Sequence, residues 1–280
     1  MRRPQQSAAL WPSTQLLLTA DCPAADCKEL DPRSQLRFLA ELGTLIGPEL
    51  FAESLVYSTP RGNTGWTAFR MGSLGHGTYH HWDVATPNLL QLDLFGIGTI
   101  DDQRALSAVE DYWSPCGMRV VVARRPEPSK EFTQSVSRDD LEKRVGKQVG
   151  LGPGDHLHLM LDQTSPVHRR SLKSPDLDQA IMRLVDRLKM RGMTPVMRHD
   201  RIENDGFAYD AIVGITTSHV SVRLRQNFER IDLSLDVFSC RKFDVDTVLA
   251  WLDDLTPTPS SRRAVLYNRF PKNEFTYIGG

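Results

Sequence analysis

The chain has 280 residues, of which 40% are hydrophobic and 25% are charged, and its formal net charge is −1. This length suits one large domain or two modest ones, each with its own core. The near-zero charge argues against nucleic acid or an anionic membrane as the main partner, and no apolar run approaches the ~20 residues that span a bilayer. Pro12 interrupts the short apolar run near the start, so we expect a cytoplasmic protein without a secretory signal.

The first half of the chain predicts a strand, a helix, four strands, a second helix and a closing strand. Apolar stretches bounded by Gly, Pro or Ser predict the strands, and apolar residues close to a 3.6-residue period predict the helices. The strands are expected at residues 14–21, 53–59, 65–72, 77–84, 89–96 and 118–125, and the helices at 34–47 and 101–113.

The second half repeats this order of elements. Strands are expected at residues 155–162, 194–200, 207–217, 219–224 and 231–240, and helices at 174–192 and 244–255. In the first of these helices Ser174 is the expected N-cap, Pro175 suits the first turn and Gly192 suits the end. A repeated order of elements indicates a tandem duplication.

We therefore predict an α+β fold of two tandem repeats, each an antiparallel sheet with helices on one face. The first repeat is expected to cover residues 1–125 and the second residues 151–256. Between them, residues 126–150 are polar and charged, which is typical of a linker with at most one short helix. Residues 257–280 are expected to form an exposed tail.

Two pairs of short motifs resemble those of a known family. "TTSHVSVRL" followed by "IDLSLDVFSC", and "GHGTYHHW" followed by "LQLDLFG", resemble corresponding stretches of the S-adenosylmethionine decarboxylases, pyruvoyl-dependent enzymes of polyamine synthesis. The resemblance implies that the two repeats pack as a pseudo-dimer around a composite site. One repeat would supply the serine that becomes the pyruvoyl group and a cysteine, and the other a small hydroxyl residue and a histidine.

The two halves of this chain have lost complementary parts of that set. The second half keeps the serine and the cysteine, as Ser218 and Cys240, and the first half keeps the hydroxyl residue and the histidine, as Thr67 and His80. The equivalent positions in the opposite halves hold Gly75, Ile97, Asp210 and Arg223. One of the two possible composite sites therefore retains all four groups.

The resemblance implies self-cleavage between Thr217 and Ser218, which would convert Ser218 into the pyruvoyl cofactor. His80 is the natural base, because the ordinary pKa of histidine is near neutrality, and Thr67 is suited to stabilise the oxyanion. A substrate amine would form a Schiff base with the pyruvoyl group.

Two more residues are assigned to the chemistry that follows. Cys240 would return a proton to the substrate after carbon dioxide leaves. His219 would position the substrate or assist the proton transfer. Since neighbouring residues of a strand face opposite ways, Ser218 and His219 are not expected to face the pocket together.

The sequence departs from the family where the family binds the nucleoside. Arg61 replaces a stacking aromatic residue, for which Tyr57 and Trp66 are alternatives, and Asp83 lies one position from an expected acid. Three functions remain open: an S-adenosylmethionine decarboxylase, a pyruvoyl decarboxylase of another amino acid such as arginine or ornithine, or an uncleaved binding or regulatory subunit. A homodimer is compatible with each of them.

Histidines elsewhere in the chain do not predict a metal site. His76 and His80 share a face of the predicted strand, but only Asp83 is near enough in sequence to join them. We therefore expect no metal, and we expect His81 and His158 at the surface.

Overall fold

The computed structural model describes residues 13–22, 32–58, 65–83, 88–115, 117–125, 134–137, 156–167, 172–203, 206–216, 218–270 and 274–277. The helices are α1 (Pro32–Gly43), α2 (Asp102–Trp113), α3 (Ser174–Arg187) and α4 (Val245–Leu255). No helix in these ranges is long and apolar enough to cross a membrane.

The strands fall into two groups of seven. The first group is β1 (Ser13–Cys22), β2 (Leu50–Ser58), β3 (Gly65–Gly72), β4 (Gly75–Trp82), β5 (Asn88–Ile97), β6 (Gly117–Arg125) and β7 (Gln134–Ser137). The second group is β8 (His156–Pro166), β9 (Met197–Glu203), β10 (Gly206–Ile215), β11 (Ser218–Asn227), β12 (Arg230–Ser239), β13 (Ser261–Phe270) and β14 (Glu274–Tyr277).

Each group forms one antiparallel sheet, and the two sheets have the same topology. The first sheet has the order β2-β3-β4-β5-β1-β6-β7, and the second, read from its β9 edge, has the order β9-β10-β11-β12-β8-β13-β14. Strand β8 therefore corresponds to β1, β9 to β2, and so on through the sheet. The pairing register agrees, since Thr67 faces His80 in the first sheet and Asp210 faces Arg223 in the second. The chain is a duplicated α+β structure, as the repeated pattern predicted.

The helices cover the outer face of each sheet. Because side chains alternate along a strand, Leu16 and Leu18 of β1 pack in one core with Phe38 of α1 and Val109 of α2. In the second repeat, Val220 and Val222 of β11 pack in the same way with residues of α3 and α4. Burial of each such side chain contributes about 1.5–3 kcal/mol.

The inner faces of the two sheets pack against each other. Leu17 and Val121 of the first sheet share a small core with Met160 and Val265 of the second. The order of layers is therefore helices, sheet, sheet, helices. Polar side chains on the inner faces are buried between the sheets, and they form the candidate site.

The end of the chain differs from the prediction. Residues expected in an exposed tail form β13, which pairs with β8 on one side and β14 on the other. Val265 and Tyr267 are buried between the sheets. Without β13, the backbone groups along one edge of β8 would have no strand partner. Residues 134–137, placed in the expected linker, form β7 beside β6; the other linker residues lie outside the described part of the chain.

One helix cap also differs from the prediction. Lys173 stands at the N-cap position of α3 and makes no side-chain cap bond. Ser174 is the first residue of the helix instead, and its hydroxyl donates to Asp200 Oδ2 at 2.5 Å. Pro175 occupies the first turn as expected.

Candidate functional site

Thr67 and His80 meet within the first sheet. They face each other in the β3–β4 pair, and Thr67 Oγ1 lies 3.0 Å from His80 Nδ1. Both side chains are buried and point towards the second sheet. The two residues that the first repeat was expected to supply are therefore in direct contact.

His80 contacts His219 across the space between the two sheets. His80 Nε2 lies 3.2 Å from His219 Nδ1, and the rings are nearly parallel, with centroids 5.5 Å apart. His219 comes from β11 of the second repeat, directly after Ser218. The two repeats thus contact each other through His80 and His219.

Ser218 and Cys240 form a second contact at the ends of β11 and β12. The Ser218 hydroxyl donates to Cys240 Sγ at 3.8 Å and accepts from the Cys240 backbone N–H at 3.2 Å. Cys240 packs against a buried cluster that contains Trp82 and Phe238. The Phe238 ring also lies 5.0 Å from the ring of His80. This aromatic cluster therefore lies between the Ser218–Cys240 pair and the Thr67–His80 pair. Thr217 lies outside the described residues.

Asp93 extends the site inward from His219. Its Oδ2 atom lies 3.3 Å from His219 Nε2 and 3.5 Å from His158 Nε2. Gln15 Nε2 donates to Asp93 Oδ1 at 3.2 Å. Because β1, β5, β8 and β11 each contribute one of these buried residues, the network depends on both sheets.

Arg125 closes the far end of this network. The guanidinium bonds Asp236 Oδ1 and Gln15 Oε1 at 2.7 Å each, and it bonds both oxygens of Asp162 at 2.9–3.1 Å. Asp236 in turn lies 3.5 Å from His158 Nε2. A buried positive charge thus compensates Asp162 and Asp236, as burial of charge requires.

The environment fixes the charge states around His80. Burial lowers the pKa of His80 well below its usual value, and His219 and Arg269 lower it further. Burial also lowers the pKa of His219, against the opposing effect of Asp93. Burial alone would raise the pKa of Asp93, but His158 and His219 outweigh it and hold that pKa below its ordinary value. At neutral pH His80 is therefore a neutral imidazole, and Asp93 is ionised.

The pseudo-symmetric position in the molecule lacks these groups. Asp210 and Arg223 stand where the first repeat has Thr67 and His80, and they form an ion pair. A Cβ atom on Gly75, the counterpart of Ser218, would lie 1.8 Å from the carbonyl oxygen of Phe95. The backbone there leaves no room for a serine.

The proposed substrate contacts are separate from this cluster. Tyr57 and Trp66 lie opposite each other in the β2–β3 pair, with ring centroids 4.9 Å apart. Trp66 packs with the helix-side core, so it faces away from Thr67, the next residue of β3. The Tyr57 hydroxyl donates to Asp83 Oδ2 at 2.6 Å. Arg61 lies outside the described residues.

Two histidines expected at the surface are buried. His81 lies on the helix side of β4, where its ring packs 4.5 Å from that of Trp113. His158 lies between the sheets. The alternation of β8 placed its even-numbered residues on one face, but that face packs on the other sheet and is not exposed to solvent.

Residues missed by the sequence analysis supply most of the inner network: Gln15, Asp93, Arg125, His158 and Asp236. Asp93 and Asp236 each interrupt a strongly apolar strand, which is the available signal, because a buried carboxylate needs a partner.

Asp93, His158 and His219 also offer a donor set for a metal. The three ligand atoms lie within 4.8 Å of one another. Two imidazoles and a carboxylate suit a divalent transition metal. The sequence did not suggest this set, because its members come from three different strands.

A cavity of about 420 Å³ lies elsewhere, on the helix-covered side of the second sheet. Its walls include Asp176 and Arg183 of α3 and Asp254 of α4. His219 lies on the opposite face of that sheet, so this cavity is not part of the candidate site.

No protein-family model and no curated protein matches the chain. Among solved structures, the adenosylmethionine decarboxylase from Aquifex aeolicus VF5 aligns with 45% of this chain and 100% of its own, at 16% identity and a TM-score of 0.35. An unknown protein from Galdieria sulphuraria aligns with 96% of this chain and 99% of its own, at 6% identity and a TM-score of 0.20. Both similarities are too weak to assign a family.

Proposed function

We propose that the chain is a pyruvoyl-dependent decarboxylase that cleaves itself between Thr217 and Ser218, and that its substrate is S-adenosylmethionine. The observation that carries the proposal is the division of the site between the repeats. Thr67 and His80 come from the first repeat, Ser218 and Cys240 from the second, and His80 contacts the residue next to Ser218. A role in polyamine synthesis follows from that substrate.

The surroundings of Ser218 fit the formation of a pyruvoyl group from the chain itself. The group would need no separate binding cavity, because it replaces the side chain and amino end of residue 218. The Cys240 N–H already donates to the Ser218 oxygen at 3.2 Å. Cys240 Sγ lies 3.8 Å from that oxygen, close enough to serve later as a proton donor. The pyruvoyl ketone would supply an electron sink for decarboxylation.

Self-cleavage requires only the chain's own atoms and, in its last step, one water molecule. The Ser218 hydroxyl attacks the carbonyl carbon of Thr217, so an ester C–O bond replaces the peptide C–N bond and the nitrogen takes up the proton. A base then removes the Cα proton of residue 218. The bond between its Cβ and the ester oxygen breaks, and residues 1–217 leave as a carboxylate. A proton then adds to the Cβ of the dehydroalanine that remains, which gives an imine, and water hydrolyses the imine to the ketone and ammonia.

His80 is the base that the structure favours for the second step. It is neutral at neutral pH, since burial lowers its pKa, and a neutral imidazole is able to accept a proton. In the decarboxylation that follows, Cys240 would return a proton to the carbon that has lost its carboxylate.

The test is release of labelled carbon dioxide from carboxyl-labelled S-adenosylmethionine, arginine and ornithine. We expect release from S-adenosylmethionine by the wild-type protein and none by Ser218→Ala, which would remain full-length. If labelled carbon dioxide were released only from arginine or ornithine, the proposed substrate would change but the proposed mechanism would stand. A wild-type chain that is never cut would contradict the proposal and favour a binding or regulatory subunit.

A further inference from the structure

Four buried groups form a chain of polar contacts through the centre of the site, made of one ion-pair contact and two hydrogen bonds. Asp93 Oδ2 lies 3.3 Å from His219 Nε2, His219 Nδ1 lies 3.2 Å from His80 Nε2, and His80 Nδ1 lies 3.0 Å from Thr67 Oγ1. We call this chain the Asp93 relay. In each of its two imidazole rings, one nitrogen faces each neighbouring group. The position of one proton therefore determines the positions of the others.

The direction of the chain follows from its carboxylate end. The ionised Asp93 carboxylate only accepts, and its negative charge 3.3 Å from His219 Nε2 favours a hydrogen on that nitrogen, although the N–H is not aligned to complete a hydrogen bond. Its Nδ1 atom is then an acceptor, which suits both of its neighbours: His80 Nε2 and the Thr78 hydroxyl, at 3.4 Å. His80 is consequently protonated on Nε2. Its Nδ1 atom then carries no hydrogen, and its lone pair accepts a hydrogen bond from the Thr67 hydroxyl.

We propose that Asp93 is a positioning residue that fixes the tautomers of His219 and His80, and so prepares His80 to act as the base of self-cleavage. The role in cleavage rests on the proposed function, whereas the fixed tautomers do not. Asp93 acts here through two rings, in the way that the aspartate of a serine-protease triad orients its histidine.

The relay also gives Thr67 a specific part in proton transfer. In the resting site its hydrogen points to His80 Nδ1, so its oxygen lone pairs are free to accept. When the Thr67 oxygen accepts a proton, the hydrogen that it already carries passes to His80 Nδ1. The imidazolium that forms is then stabilised through His219 by the charge of Asp93. Thr67 would therefore conduct the proton to the base.

The protonated nitrogens are measurable by ¹⁵N NMR on the full chain labelled at its eight histidines. His80→Gln and His219→Gln each remove one set of signals and so assign them. We expect both rings to carry hydrogen on Nε2 at neutral pH. Protonation of His219 on Nδ1, or stoichiometric zinc bound through its Nε2 atom in the purified protein, would overturn the proposal.

The matched variants are Asp93→Asn and Asp236→Asn. The two aspartates are symmetry counterparts, and each lies 3.5 Å from His158 Nε2, but only Asp93 is within reach of His219. Asp93→Asn should release both tautomers and slow self-cleavage at least ~10-fold, a part of the 10²–10⁴-fold typical of acid–base catalysis. Asp236→Asn should leave both tautomers unchanged, and an equal effect of the two variants would overturn the proposal.

The outcomes separate this inference from the proposed function. An uncut wild-type chain with both rings protonated on Nε2 would remove the function but support the role of Asp93 in fixing the tautomers. If the wild-type chain is cut, and the Asp93→Asn variant has the same cleavage rate and the same tautomers, only the role of Asp93 is removed.

Discussion

Replacement of Arg125 by methionine tests whether the polar layer between the sheets holds the fold together. Arg125 is 1% exposed and pairs with two buried carboxylates, Asp162 and Asp236. Methionine keeps much of the length but removes the charge, so both carboxylates lose their main partner. Loss of one partner of a buried pair costs about 3–5 kcal/mol. With two carboxylates affected, we expect the top of this range, about 5 kcal/mol, which is a large share of the ~5–15 kcal/mol of a typical domain.

The assay is urea unfolding followed by circular dichroism, with Arg187→Met as the control. Arg187 pairs with Asp254 at 2.8 Å on the surface, where the side chains are 43% and 65% exposed. An exposed pair contributes about 0–1 kcal/mol. The triple variant Arg125→Met, Asp162→Asn, Asp236→Asn should recover part of the loss, because no unpaired charge remains buried. Similar costs for Arg125→Met and Arg187→Met would refute the reasoning.

Three further predictions concern acid stability, proton transfer and the inactive repeat. Burial lowers the pKa of His76 to about 4, so protons bind preferentially to the unfolded chain; the contribution of His76 to stability should be constant above about pH 6.5 and fall by about 3 kcal/mol as the pH drops to 4. His76→Gln should flatten that fall in urea titrations, and an unchanged slope would contradict the assignment. Thr67→Ser should keep self-cleavage while Thr67→Val slows it, as followed on denaturing gels; equal rates would exclude the Thr67 hydroxyl from the proton path. Gly75→Ser should lower stability by about 1–3 kcal/mol through overpacking, whereas Gly192→Ala, whose added Cβ makes only ordinary contacts, should not.

The duplication was predictable because strand and helix patterns recur in the same order. The same logic could have predicted β13. A closing strand was expected after the second helix of the first repeat, and the equivalent strand in the second repeat is formed by residues 261–270. The Pro- and Ser-rich stretch after α4 suggested a tail, but it is a short connection between α4 and β13.

The sequence named part of the candidate site but gave no information on its depth. Thr67, His80, Ser218 and Cys240 were named because short motifs around them resemble those of a known family. Asp93 and Arg125 depend on which strands of the two sheets face each other, and the local pattern of one strand holds no information about that. Buried polar residues in apolar strands indicate only that some partner exists.

The candidate substrate contacts show the limit of reasoning from alternation. Tyr57 and Trp66 were considered for their residue type, yet the parity of β3 places Trp66 on the face opposite to Thr67. The tautomers of the Asp93 relay are further still from the sequence, since they require atomic distances between strands that are far apart in the chain.

The central claim is that two repeats contribute to one site where the chain cuts itself. Intact mass spectrometry of the purified wild-type protein, beside Ser218→Ala and His80→Ala, tests it most directly. We expect two wild-type fragments that meet between residues 217 and 218, the smaller with a blocked amino end, a full-length Ser218→Ala chain and slowed cleavage in His80→Ala. A full-length wild-type chain, or cleavage indifferent to His80, would contradict it.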